Sequence, residues 1–188
     1  MSAPLTHPER VAIARLQALL ELLPTALDKR LRPAGITAFE YTLLESLAEA
    51  ERNTMRMSEV ASKTNASLPR LSRVANSLER RGLAVRSACT EDARATNLVL
   101  TEAGAKALAH SQELYASAVR ELVLDGVQGL ADDGVSQLAN ISYAVLTSLD
   151  PRGDYAGEAP EEEPATCAAD PAPACAADPR ETSTESAA

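Results

Sequence analysis

The 188-residue sequence predicts a mainly α-helical domain with one small β-hairpin over residues 1–150, followed by a disordered, acidic, Pro/Ala-rich tail over residues 151–188. Three observations lead there. Apolar residues recur at helical spacing over six stretches, and two of these open with capping-box pairs, Thr6 with Glu9 and Thr37 with Glu40. Short runs of β-formers separated by a polar stretch appear between Leu83 and Leu100. From Arg152 onward large apolar residues are nearly absent, so burial cannot offset the entropy of ordering the chain.

The first helix is expected over about residues 8–30, with Val11, Leu16, Leu19, Leu20, Leu23 and Leu27 apolar. Pro24 should kink it, because proline lacks the amide donor and crowds the preceding turn. The second covers residues 38 to about 50 and buries Phe39, Leu43, Leu44 and Leu47. Residues 55–57 suit one short strand, after which Ser58 caps a brief helix to about Thr64 that buries Val60 and Ala61. Ser67 then caps a helix over residues 68–81, with Pro69 tolerated in the first turn and Gly82 supplying a left-handed terminus. Residues 83–86 and 96–100 pair as a hairpin around the polar run SACTEDARA. Thr101 caps a long helix to about Leu124, and Gly126, Gly129 and Gly134 break it. A last helix starts at Asp132 or Asp133, ends at Leu149 and buries Val135, Leu138, Ile141, Val145 and Leu146.

Charge sorts these elements further. The net charge of -9 divides into -2 for residues 1–150 and -7 for residues 151–188. Within residues 52–94, nine Lys/Arg face four Asp/Glu, leaving +5. Such a local basic patch is the electrostatic footprint of a polyanion binder, whatever the whole-chain charge. On the helix over residues 68–81, Leu71, Val74, Ala75 and Leu78 gather on one side. The other side presents Pro69, Arg70, Ser72, Arg73, Asn76, Ser77 and Arg80 with no acid among them. Arginine pairs bidentately with guanine and asparagine with adenine in a major groove, and both also reach phosphates. A short helix, a tight turn and such a helix make a helix-turn-helix, and the hairpin that follows is its wing. A merely solvated arginine face is the simpler alternative for this surface alone, and the wing and Gly82 weigh against it. Arg81 suits a local contact at the helix end.

The string MSEVASKTNASLPRLSRVANSLERRGLAVRSACTEDARATNLVLTEAG resembles the MarR family of winged helix-turn-helix transcription regulators. The resemblance rests on SLERRGL at the end of the recognition helix, Asp92-Ala93-Arg94 in the wing, and Leu100-Thr101 followed by Gly104. The flanking helices extend it over roughly residues 5–150. It implies a homodimer held by the first helix and the last two, with two recognition helices in successive major grooves of a pseudo-palindromic operator. It further implies that Arg70, Ser72, Arg73 and Asn76 face bases or nearby phosphates, and that Ser67 sits near phosphate at the helix N-terminus. Arg80 approaches phosphate from the helix end. Arg94 reaches the minor groove, and Asp92 orients Arg94 or Arg86 by a salt bridge. The wing departs from many relatives in carrying Glu91, Ala93 and Ala95 where theirs are more basic, which leaves Arg94 a larger share of wing affinity. Family members also bind small amphipathic effectors between the dimer helices and the DNA-binding lobe. By position, Arg15, Tyr41, His110 and Tyr115 are the candidates here.

The expected function is a sequence-specific, double-stranded-DNA-binding transcriptional regulator, a ligand-responsive repressor; the alternative is a winged-helix protein-interaction module without DNA specificity. No enzyme is expected, because GxSxG, HExxH and a phosphate-cradling glycine loop are all missing from the sequence. No cofactor or metal is expected either. Cys167 and Cys175 lie in a repeated CAADP segment with no histidine beside them, and His7 and His110 suit capping or surface roles. Three cysteines make a poor disulfide framework, and Cys89 beside the wing reads more readily as inert than as an oxidation sensor. The N-terminal stretch carries Glu9, Arg10, Arg15 and Glu21, which fits neither a signal peptide nor a membrane span and points to the cytoplasm.

Overall fold

The computed structural model of the chain describes residues 3–88, 95–130 and 133–150. The expectations for Cys89, Glu91, Asp92, Ala93, Arg94, Asp132 and the tail at 151–188 lie outside the described residues. Helix α1 spans His7–Leu31, α2 Ala38–Ala48, α3 Met57–Lys63 and α4 Leu68–Arg80, with strand β1 at Thr54–Arg56 between α2 and α3. Strands β2, Ala84–Ala88, and β3, Thr96–Leu100, follow. Helix α5 covers Glu102–Val119 and runs through a π-helical turn at Arg120–Leu124 into the short α6, Asp125–Gln128; α7 covers Gly134–Leu149.

The local rules explain most boundaries. At α2 the capping box is complete: the Thr37 amide donates to Glu40 Oε2 at 3.0 Å, and the Glu40 amide donates to Thr37 Oγ1 at 3.1 Å. At α1 the Thr6 amide donates to Glu9 Oε2 at 2.6 Å, and this bond holds the Glu9 carboxyl below its ordinary pKa. Helix α4 stops where Gly82 turns left-handed, φ +70°. Thr101 caps α5, its hydroxyl accepting from the Gly104 amide at 3.0 Å.

Several expectations need correction. The hairpin is part of a three-stranded antiparallel sheet in the order β1-β3-β2, since Met55 pairs with Leu98 and Arg86 also pairs with Leu98 from the other side. A three-residue run carries too little pattern for its partner to be read from sequence. Helix α3 begins one residue before Ser58, because the Arg56 amide donates to Glu59 Oε2 at 3.3 Å and makes Arg56 the N-cap. Helix α2 ends at Ala48, two residues short of expectation. Helix α1 runs through Pro24 to Leu31, close to the extent expected of it. Gly126 does not break the helix after α5, and it sits within α6. Glycine lowers helix stability without forbidding it.

The core gathers Leu31, Ile36, Leu43, Leu44, Leu47, Val60, Leu71, Ala75, Leu78, Leu98, Leu100 and Leu108, all buried. Phe39, expected inside, is half-buried. The largest departure concerns the outer helices. In α7, Val135, Ile141 and Val145 are 40%, 64% and 41% exposed, and in α1 Leu16, Leu19 and Leu20 are exposed as well. Helical periodicity locates an apolar face and says nothing about whether the same chain covers it.

Candidate nucleic-acid interface

The face is assembled from α3, α4 and the two strands of the wing. Helix α4 is fixed to the domain by Leu71, Ala75 and Leu78, which are fully buried, with Val74 half-buried beside them. Its orientation is fixed again at the C-terminal end. Arg81, the C-cap, donates through Nη1 to Glu40 Oε1 at 3.0 Å and through Nη2 to the Gly35 carbonyl at 2.6 Å, joining the end of α4 to the start of α2. The contact sits at the helix end, where one was expected of Arg81, but its partners are distant in sequence.

With that face turned inward, Ser67, Arg70, Arg73, Asn76 and Arg80 are exposed and Ser72 is half-buried. Ser67 is the N-cap of α4, and its hydroxyl makes no capping bond. Arg70 lies over the Phe39 ring, 4.3 Å from its centroid, so an aromatic surface of α2 supports the first arginine of the recognition helix.

Arg86 is engaged by α4. Its side chain turns back from β2 onto α4, where its Nη1 pairs with Glu79 Oε2 and donates to Asn76 Oδ1 at 2.6 Å. Its Nη2 donates to the Ser72 carbonyl at 3.3 Å and to Ser72 Oγ at 3.4 Å, and its own amide donates to Glu79 Oε1 at 2.9 Å. Glu79, the acid that interrupts the arginines of RLSRVANSLERRGLAVR, is thereby neutralised. Arg86 is held by Glu79, which lies one helical turn beyond Asn76; the salt bridge expected of Asp92 with Arg94 or Arg86 lies outside the described residues. Sequence reasoning missed Glu79, although a lone acid among five arginines is the signal for it. A cleft of about 420 Å³ between wing and recognition helix brings Ser72, Asn76 and Arg86 together with Arg56, Met57, Ser58, Leu68, Ala95 and Thr96.

Of the four effector candidates, two come together. Tyr41 and Tyr115 stack with ring centroids 4.0 Å apart and planes 16° from parallel, which packs α5 onto α2. The Tyr41 hydroxyl donates to Glu45 Oε1 at 2.9 Å. Burial pushes both phenols above their ordinary pKa, and the Glu45 carboxylate adds to the rise in each. Arg15 and His110 are exposed on α1 and α5. A second cleft, about 550 Å³, is lined by Thr25, Asp28, Lys29, Arg32, Gly35, Ile36 and Thr37 and by none of the four. Among the described residues no group of three or more His, Cys, Asp or Glu could hold a metal ion. No described helix is long and apolar enough to cross a membrane.

A helix, a tight turn, an arginine-bearing helix and a three-stranded sheet define the winged helix-turn-helix class. The MarR family profile matches residues 34–95. The chain is 31% identical to a MarR family transcriptional regulator from Streptomyces coelicolor solved in complex with DNA, with a TM-score of 0.75 over 81% of this chain and 94% of that one. It is 30% identical to AbsC, another MarR family regulator from S. coelicolor, with a TM-score of 0.72 over 80% of this chain and 100% of that one. With NadR in complex with 4-hydroxyphenylacetate the identity is 26% and the TM-score 0.54, over 77% of this chain and 97% of that one. No curated protein matches. The chain belongs to the MarR family of transcriptional regulators.

Proposed function

We propose that the protein is a homodimeric, sequence-specific binder of double-stranded DNA that represses transcription by covering a pseudo-palindromic operator. The carrying observation is the exposed face of α4, which presents Arg70, Arg73, Asn76 and Arg80 while Glu79, the one acid on that helix, is paired with Arg86. The relative solved with DNA supports this reading. In the proposal Arg70, Ser72, Arg73 and Asn76 meet base edges or nearby phosphates, Ser67 and Arg80 meet phosphates, and Arg94 enters the minor groove with Asp92 beside it. Arg86 positions the face and does not contact bases. A dimer lying over two successive grooves excludes other proteins from those base pairs, which makes repression the direct consequence.

The exposed apolar residues of α1 and α7 support the homodimer, since large apolar patches on one chain are ordinarily covered by a partner. A small amphipathic effector is part of the proposal, supported by the ligand bound to NadR. It acts where α1 and α5 meet the DNA-binding lobe, by shifting the population of dimers away from the spacing that fits two grooves.

The test is binding of the intact protein to DNA upstream of its own gene, titrated against salt. The expected result is specific binding whose logarithm falls linearly with the logarithm of salt concentration. A dimer that binds no DNA sequence specifically, while capturing a protein with a flat salt dependence, would instead identify an interaction module.

A further inference from the structure

We infer that Arg86 sets the hydrogen-bond polarity of the recognition face, so that Asn76 presents donors and selects guanine over adenine at the base pair it faces. The inference rests on the DNA-binding reading above and deepens it.

Adenine recognition by asparagine uses both ends of the amide, the oxygen accepting from N6 while the nitrogen donates to N7. In this protein the oxygen is engaged. Arg86 Nη1 donates to Asn76 Oδ1 at 2.6 Å. The assignment of oxygen and nitrogen follows from chemistry, because a guanidinium has no acceptor and the amide atom facing it must be the oxygen. That bond takes one of the oxygen's two lone pairs and fixes the amide with its oxygen toward Arg86, so the NH2 group with its two donors is the end of this exposed side chain turned away from the guanidinium.

The arginine is not free to leave. Its Nη1 also pairs with Glu79 Oε2, and its Nη2 reaches the Ser72 carbonyl at 3.3 Å. The side chains of Arg86 and Glu79 are only 26% and 29% exposed, so water competes weakly for the pair. Ser72 is drawn the same way, its Oγ accepting from Arg86 Nη2 at 3.4 Å. Arg70, Arg73 and Arg80 beside them are exposed and carry donors only, so the face offered to a groove is dominated by donors. Guanine is the base that presents two adjacent major-groove acceptors, N7 and O6, whereas adenine sets a donor next to its acceptor.

The experiment is selection of bound sequences from random DNA, with affinities of the recovered site and single-base variants, for the wild type, Asn76→Asp and Arg86→Met. For the wild type we expect guanine at the base facing residue 76, with adenine there binding about fivefold to hundredfold more weakly. Asn76→Asp keeps an oxygen for Arg86 and replaces the outward donors with an acceptor, so the guanine preference should vanish. Arg86→Met releases the amide oxygen, and adenine should rise at that position while the rest of the site is retained. Should Arg86→Met fail to fold, Asn76→Asp still decides, because it preserves the ion pair with Glu79. Adenine selected by the wild type, or a guanine preference unchanged in either folded variant, overturns the assignment and leaves the DNA-binding reading standing. Absence of specific DNA binding by the wild-type dimer overturns both.

Discussion

Two glycines show how different the demands on one residue type can be. Gly82 has φ +70° with nothing within 4 Å of where a Cβ would stand, so alanine there meets only backbone strain, about 1–2 kcal/mol. A Cβ on Gly104 would stand 2.0 Å from the Leu83 carbonyl oxygen, a backbone atom that cannot swing away. Gly104→Ala should therefore cost more than Gly82→Ala, about 3 kcal/mol or above, and urea unfolding of the two variants checks the order. The stacked tyrosines give a pH dependence. Both phenols are raised in the folded protein, so their contribution is fully present below the unfolded phenol pKa, near 10, and is lost as pH climbs through the folded values. Unfolding midpoints should fall more steeply above pH 10 in the wild type than in Tyr41→Phe.

At the scale of elements, the junction of α2 with α4 holds the recognition helix in place. Thr37→Ala removes the oxygen that accepts from the Glu40 amide and should cost about 1 kcal/mol. Arg81→Ala strips the cation from Glu40, whose side chain is 9% exposed. The Arg81 side chain is 36% exposed, so the full cost of breaking a buried pair is discounted to about 1–3 kcal/mol. Because Arg81 faces α2, its loss should lower stability and leave sequence preference in a DNA selection unchanged, unlike substitution of Arg70 or Asn76.

For the whole molecule, the deciding feature is apolar surface that one chain leaves open on α1 and α7, including Leu20 at 66% and Ile141 at 64% exposed. Leu20→Glu or Ile141→Glu should break the proposed dimer into monomers in sedimentation experiments. Each should weaken operator binding by tenfold or more, since a single recognition helix loses the second half-site, while thermal unfolding of the winged-helix core changes little. A variant that stays dimeric with full affinity would place the contact elsewhere.

The sequence by itself determined the helices, the turn and the wing, because capping pairs, Gly82 and the change of period at Leu83 act within a few residues. It also determined which face of α4 turns inward, through the spacing of Leu71, Ala75 and Leu78. Only the tertiary structure decided which of the five arginines between residues 70 and 86 are available. Arg70, Arg73 and Arg80 stay exposed on α4, while Arg81 turns to Glu40 and Arg86 is drawn onto Glu79 and Asn76. Their partners stand on other elements or across the turn into the wing, and pairing over such separations depends on how helices and strands pack, which no local pattern records.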